Sequence, residues 1–338
     1  DKIKLVFYLS ELKGFDIMLY PLKLNAAFKD YLWGGTRLRD EFNKQTDIDP
    51  VAESWELSCH HDGQSIISNG EFSGKTLAQY IETVGKQVIG TKAPKDKDFP
   101  ILIKFIDAKQ SLSVQVHPDD KYALLHEGES GKTEMWYVMD ATPDATLIYG
   151  FTHEISHQEF ERRIKDNTLL EVCNQVPIKK GDVFFIEAGT LHAIGAGALI
   201  AEIQQSSNST YRVYDYGRVG KDGKLRELHI EKALAVTKLE PPTRKPEPIA
   251  KLTAFADYDL TILAQCELFN VSHFDLHGNC SLNAKKDSFH SILVLDGQIA
   301  LTYGNDSFTI TKGESVFIPA DMGEYILNGT GEFILTTL

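Results

Sequence analysis

The sequence predicts a mainly β protein, two β-barrel or jelly-roll modules with a few peripheral helices. Short strand-like runs recur between turn signals, the pattern of sandwiches and barrels. One stretch is echoed late in the chain. Gly181-Asp182-Val183-Phe184-Phe185-Ile186-Glu187-Ala188 has its parallel in Gly313-Glu314-Ser315-Val316-Phe317-Ile318-Pro319-Ala320, as expected of a duplicated module. Helical spacing is confined to short stretches between the strands.

Taken in order, residues 1–17 contain the apolar run Leu5-Val6-Phe7-Tyr8-Leu9, which Lys4, Glu11 and Asp16 keep short. They read as an extension or cloning remnant rather than a signal peptide. From Met18 to about Asp62, strand-like pieces are broken at Asp30, Gly34-Gly35 and Asp47-Ile48-Asp49-Pro50. Trp33, before a glycine pair, reads locally as turn packing. Leu77, Ile81, Val84 and Val88 give helical spacing over residues 76–88, ended by Gly90. Residues 92–100 form a charged loop. Residues 100–106 are nearly continuous apolar, which suits a strand buried on both faces. Lys104 inside that run needs either an edge, where its amine reaches water, or a substrate-facing role.

Ser111-Leu112-Ser113-Val114-Gln115-Val116-His117-Pro118 alternates strictly. Val114 and Val116 point one way; Ser113, Gln115 and His117 point the other. Such a polar face either meets solvent or binds an ion. Gly131-Lys132-Thr133-Glu134-Met135-Trp136-Tyr137-Val138 reads as another strand, with Lys132 and Glu134 on one face. Residues 156–170 read as a helix opened by a Ser156/Glu159 capping box. Gly181-Asp182 turns, residues 183–186 form an apolar strand, and Ala188-Gly189 turns again to present His192. Residues 199–205 are a strand and 227–238 a helix. Prolines and mixed charges over 239–251 mark a linker. Beyond it, Ser291-Ile292-Leu293-Val294-Leu295-Asp296-Gly297 reads as a strand and a tight turn. The repeat puts Glu324 where His192 stands, and no Gln-x-His precedes it, so this module is expected to lack metal ligands. The chain thus divides into an extension (1–17), a module with helical insertions that carries the polar Gln115/His117 face (18–240), a linker (241–251) and a degenerate module (252–338). The module over 18–240 is expected to be the metal-binding, catalytic one on the grounds given below.

A chain of 338 residues can bury a large core. Its formal net charge of −13 argues against a nucleic-acid partner, which needs a basic surface. A local cluster of Arg and Lys can still hold a small anion. No apolar run approaches the ~20 residues that span a bilayer, so no membrane partner is expected. Cys59, Cys173, Cys266 and Cys280 lack metal-type spacing and read as free thiols of a cytoplasmic protein. Gln115, His117, Glu134 and His192, each on or beside a strand, suit a borderline cation such as zinc.

The order Gln-x-His, then a Glu on the next hairpin, then Gly-Asp-x5-Ala-Gly-x2-His resembles the two motifs of a cupin barrel. More narrowly, QVHPDD, GKTEMWYV, AGTLHAIGAG and SSNSTYRVYDYGR resemble the type I mannose-6-phosphate isomerases, or phosphomannose isomerases, in their short bacterial form. YLWGG from Tyr31 and AESWE from Ala52 match as well. The resemblance runs from Met18 to the C-terminus. It implies an aldose–ketose isomerase that interconverts mannose 6-phosphate and fructose 6-phosphate through a cis-enediol. It implies one zinc ion per chain on Gln115, His117, Glu134 and His192, with a catalytic arginine at Arg212. It also moves Trp33, Glu53 and Trp55 towards the active-site mouth. Lys132, beside Glu134, is a candidate proton shuttle; the general base stays open among Lys132, Glu53 and Asp215. Ser111, Ser113, Lys104 and Arg212 are candidate phosphate contacts. A monomer or weak homodimer acting on a small sugar phosphate is expected. Three other readings compete: a metal-dependent oxygenase, which more histidines would favour; a non-catalytic sugar-phosphate binder; and an isomerase of another sugar phosphate.

Overall fold

Alternation and apolar runs become antiparallel strands in the computed structural model, which describes residues 18–95, 98–220 and 222–338. The extension expected over 1–17 lies outside the described residues. β1 (Leu22–Asn25), β2 (Ala27–Lys29), α1 (Arg37–Phe42), β3 (Glu53–Leu57), β4 (Ile66–Ile67) and α2 (Leu77–Val84) precede the long β5 (Ile101–Ala108). β6 (Val114–Val116), α3 (Asp120–His126), β7 (Glu134–Ala141), β8 (Thr146–Phe151), α4 (His157–Lys165) and β9 (Cys173–Pro177) follow. Then come β10 (Val183–Ile186), β11 (His192–Ile194), β12 (Ala198–Gln205), β13 (Tyr211–Tyr214) and α5 (Ile230–Val236). The C-terminal part holds β14 (Thr253–Ala254), β15 (Tyr258–Gln265), β16 (Asn270–Leu276) and β17 (Asn279–Ala284). It ends with β18 (His290–Tyr303), β19 (Asp306–Thr311), β20 (Ser315–Ile318) and β21 (Gly323–Thr337).

The expected helices form, each shorter than its periodicity suggests. α2 is opened by a reciprocal box between Thr76 and Gln79 and stops at Gly85, after which Lys86–Ile89 tightens into a 3-10 turn. At α4 the Ser156 hydroxyl accepts from the Glu159 amide at 3.1 Å. The Glu159 carboxylate turns to Arg163 at 2.7 Å instead of reaching back, so the expected box is half made. Among the described residues no helix is long and apolar enough to cross a membrane.

Two sheets face each other in the N-terminal part, in the orders β10-β7-β12-β5-β3-β2 and β13-β6-β11-β8-β9. Every residue of β5 and β12 is buried. One face of these strands sends Ile103, Phe105 and Ile203 towards Phe289, Phe317 and Ile334 of the C-terminal part. The other sends Ile106 and Ile200 towards Leu147 and Tyr149 of the facing sheet. Burial on both faces is why the run reads as continuously apolar. It also removes the edge position for Lys104, since β5 lies between β12 and β3.

The eight C-terminal strands, joined by β1 and β4, form a ten-stranded sheet wrapped round a packed interior that includes Phe274, Ile292, Val294, Leu301, Tyr325 and Phe333. Glu324 is exposed. The tight turn expected at Gly297 is not a turn. β18 runs through it, with a register shift between Val294 and Asp296 and a φ of 81° at Gly297. A Cβ there would strike the Thr330 carbonyl, so glycine lets the strand bend from β20 to β19. β1 crosses the boundary drawn between the modules. It pairs with β20 in the register Leu22↔Phe317 and Leu24↔Ser315, and carries β4 with it. An open edge of β20 is thereby covered.

Phe99, Phe289 and Phe317 meet at this junction, with ring centroids 5.2–6.1 Å apart. Phe317→Ala is expected to cost about 3–5 kcal/mol, read as a lower urea midpoint in one cooperative transition. Two separate transitions, one unmoved, would show that the two parts do not share this core. Lys180 also reaches Glu332 across the junction at 2.8 Å. A hydrogen bond from His273, with Lys180 assisting against burial, holds the Glu332 carboxyl at about 2 instead of 4.5. A depressed carboxyl stabilises the fold above its unfolded value and loses that contribution as pH falls through its folded one. Glu332→Gln is therefore expected to flatten the loss of stability between pH 4.5 and about 2, followed by denaturant midpoints across that range.

Candidate active site

Functional side chains enter the gap between the facing sheets from both sides. On β6 the alternation holds, although the strand itself is only Val114–Val116. β11 lies on one side of it with His192 opposite Gln115, and β13 on the other with Arg212 opposite the same residue. Across the facing sheet a row runs Trp136, Glu202, Lys104, Trp55 on β7, β12, β5 and β3. The two surfaces enclose a cavity of about 300 Å³, whose wall includes Trp33, Glu53, Lys104, Lys132, Glu202 and Arg212.

Gln115 also lines it, and directly behind Gln115 and Lys132 the ligand atoms of His117, Glu134 and His192 lie within 4.8 Å of one another. His117 Nδ1 donates to the Ser209 carbonyl and His192 Nδ1 to the Thr190 carbonyl, each at 2.8 Å. A carbonyl only accepts, so both protons sit on Nδ1 and both Nε2 lone pairs face inward, 3.1 Å apart. Burial, with Lys132 adding, pushes His117 well below the ordinary imidazole range, and burial pushes His192 to about 4. Burial and the Glu202 charge raise Glu134 to about 7. Lys132 stands 3.0 Å from His117 Nε2 and 2.9 Å from Glu134 Oε2, while Glu134 Oε1 is buried with no hydrogen bond among the described residues. Gln115 places its amide 3.4 Å from His192 Nε2. A half-turn of that amide exchanges nitrogen for oxygen. Inward lone pairs and an unsatisfied carboxylate oxygen fit a cation that takes nitrogen and oxygen ligands.

On the opposite wall Lys104 is 3% exposed. It lies 3.2 Å from Glu202 and 3.7 Å from Glu53, over the Trp55 ring. Burial works against its charge, yet the two carboxylates hold its pKa above that of an ordinary lysine. Glu202 is held below the usual carboxylate range by Lys104 and Lys132 despite its burial. Trp136 Nε1 donates to Glu202 Oε2 at 2.8 Å, which leaves Oε1 to the Lys104 ammonium. Trp55 Nε1 fixes Glu53 at 2.7 Å.

Arg212 Nε approaches Ser113 Oγ at 3.3 Å, and its Nη1 donates to the Glu227 carbonyl at 2.8 Å. Ser111 is not on the cavity wall: its hydroxyl accepts from the Ala196 amide and its carbonyl from Arg218. Asp215 is likewise drawn away, tied by Arg218 and Arg226. Two salt bridges hold it ionised below its ordinary range despite burial. Both its oxygens are committed to guanidinium groups and it is off the cavity wall, which makes it a poor general base. Glu202 and Arg226, both on the cavity wall, escaped the sequence reading. A charge inside an apolar strand was the available signal for Glu202, as it was for Lys104. A second group, His60, His61 and Asp62, also gathers ligand atoms. Both His60 nitrogens are committed, however, to the Asp62 amide and to Glu129.

A family model described as the catalytic domain of type I phosphomannose isomerase matches residues 21–144. ManA of Bacillus subtilis, a mannose-6-phosphate isomerase, is 38% identical over 94% of this chain and 99% of its own. The chain belongs to the type I phosphomannose isomerases. A mannose-6-phosphate isomerase cupin-domain model matches residues 259–338. The mannose-6-phosphate isomerase of Streptococcus mutans is 36% identical over 94% of this chain and 98% of its own. The crystal structure of the mannose 6-phosphate isomerase from Bacillus subtilis superposes with a TM-score of 0.87 at 35% identity, covering 94% of this chain and 99% of that one. A putative mannosephosphate isomerase from Archaeoglobus fulgidus, at 20% identity and TM-score 0.72, shares the fold.

In this phosphomannose isomerase the Lys104 cluster is internally balanced, and removing one member strands the others. Lys104→Met is expected to destabilise by about 3–5 kcal/mol, with Lys104→Met/Glu202→Gln recovering part of the loss. Denaturant unfolding of the single and double variants gives the coupling; additivity within ~0.5 kcal/mol would show that the pair does not act as a unit.

Proposed function

We propose that this chain interconverts mannose 6-phosphate and fructose 6-phosphate with the help of one zinc ion. His117, Glu134 and His192 would hold it and Gln115 would complete the shell. The observation that supports this reading most is the meeting of two inward imidazole lone pairs and an unsatisfied buried carboxylate oxygen directly behind the Gln115 and Lys132 wall of one cavity. When bound, the ion supplies Lewis-acid polarisation of a sugar oxygen.

The remaining work falls to the chain. Glu202 is the side chain suited to carry the proton between C1 and C2: it lines the cavity, Trp136 steadies Oε2, and Oε1 meets the Lys104 ammonium at 3.2 Å. Lys104 keeps Glu202 ionised and lays a fixed positive charge beside the developing enediolate. Lys132 bridges the ligand set and the cavity. Arg212 and Arg226, with Ser113, form a mouth suited to a phosphate, since guanidinium groups meet phosphate oxygens two at a time. Glu53, fixed by Trp55, is left to orient sugar hydroxyls, and Trp33 and Trp136 wall the cavity against water. We place the reaction in the cytoplasm, where the free thiols of Cys59, Cys173, Cys266 and Cys280 persist.

Incubation with fructose 6-phosphate, followed by NMR, tests this directly. Mannose 6-phosphate is expected with the zinc-loaded protein, lost on chelation and restored by zinc. Glu202→Gln is expected to lower kcat by about 10²–10⁴. Glucose 6-phosphate as product would reassign the substrate, and a zinc-replete protein without turnover would leave a sugar-phosphate binder.

A further inference from the structure

His117 offers one ring nitrogen to the cavity because the other is committed to the Ser209 carbonyl. That carbonyl belongs to residues 206–210, an irregular segment between β12 and β13. An irregular segment orients an imidazole only as firmly as it is itself held. One carboxylate gathers it. Glu129 Oε1 accepts from Ser207 Oγ at 3.0 Å and from Ser209 Oγ in a shorter bond. Its Oε2 faces His60 Nε2 at 3.3 Å. The Asp62 amide donates to His60 Nδ1 at 3.1 Å, so the His60 proton sits on Nε2 and points at Glu129. The Ser209 amide donates to Ser207 Oγ at 3.2 Å, closing the ring, and Asn208 Nδ2 is tied to Asp62 at 2.8 Å. Glu129 lines a separate cavity, with Cys59 and His60, and not the one lined by Gln115 and Lys132.

We propose that Glu129 is a positioning residue for His117: by clamping Ser207 and Ser209 it fixes the carbonyl that receives the Nδ1 proton, and so aims the Nε2 lone pair. The proposal rests on reading His117 as a metal ligand. The carboxylate is ionised for the task. Burial opposes its charge, but hydrogen bonds from His60, Ser209 and Ser207 hold it at about 2. Partners that orient a ligating histidine are worth about 10–100-fold in metal affinity. Glu129 acts one bond further out, so about tenfold, the lower end of that range, is expected.

The test uses metal-stripped full-length protein titrated with cobalt(II) against a competing chelator, read by affinity and visible absorption, with thermal unfolding of the metal-free forms alongside. Glu129→Ala is expected to bind cobalt about tenfold more weakly, with a shifted spectrum. Glu129→Gln keeps an oxygen that accepts both serine hydroxyls, while its amide NH2 faces the His60 N–H, and is expected to lose clearly less than Glu129→Ala. Ser209→Ala, which keeps the carbonyl and loses one clamp bond, is expected to fall between them. Wild-type affinity and spectrum in Glu129→Ala would overturn the proposal. So would an equal loss in Glu129→Gln, because the serine clamp survives there. A lower unfolding temperature of the metal-free form with an unmoved cobalt spectrum would reduce Glu129 to a structural role and overturn it too. If Glu129→Ala does not fold, Ser209→Ala decides: unchanged affinity and spectrum overturn the clamp. Failure of the underlying reading looks different, because His192→Ala would then bind cobalt as tightly as wild type.

Discussion

Two imidazole Nε2 atoms 3.1 Å apart, with a carboxylate beside them and all three side chains buried, set the terms for the rest of the molecule. Neither ring can turn away, because each Nδ1 proton is committed to a backbone carbonyl. Three electron-rich groups in so small a volume are stable only with positive charge among them. Lys132 supplies part of it, and the donor set suits a cation for the remainder. Holding the groups together requires β6 and β11 to be neighbours in one sheet and β7 to face them from another. The two-sheet arrangement is therefore the geometry that lets ligands distant in sequence converge without a flexible loop carrying all of them.

The facing sheet has its own electrostatic demand. Lys104 sits in the middle of a strand buried on both sides, where an unpaired ammonium would be strongly disfavoured. Glu202 on one neighbouring strand and Glu53 on the other answer it within 3.2–3.7 Å. Such a row survives only if the far face of the sheet is dry as well. The C-terminal module provides that dryness, and its own interior is filled with apolar side chains. Its contribution to the site is support, reinforced by β1, which is hydrogen-bonded into its sheet while the adjacent β2 pairs with β3.

What the sequence disclosed and what it hid follow the same physics. Alternation around Gln115 and His117, and the short spacing from Gly181 to His192, are local signals, and the structure brings those residues together. Lys104 announced itself as a charge in an apolar run. Glu202 carried the same signal, but its partner lies on a strand nearly a hundred residues away, and pairing across a sheet is invisible without register. Ser111 obeys the alternation on paper, but β6 does not extend back to it. Gly297 looked like a turn because turns and bulges both call for a positive φ. The pairing of β1 with β20 joins opposite ends of the described chain, and neither segment's composition marks it.

The charge of the whole chain would mislead about its substrate. At −13, the protein repels a phosphate dianion at long range, but at physiological ionic strength that field is largely screened beyond about 8 Å. Within that distance the local balance governs. Arg212, Arg218 and Arg226 cluster around Asp215, with the charge of Glu227 also felt nearby, which leaves the mouth positive. Asp215 is then best understood as the strut that keeps three like charges together: it holds Arg218 and Arg226 in place, while the Glu227 carbonyl and the neighbouring Ser113 hydroxyl steady Arg212. Guanidinium groups fixed in advance lose little freedom when an anion arrives, and the negative exterior has no bearing on that local step.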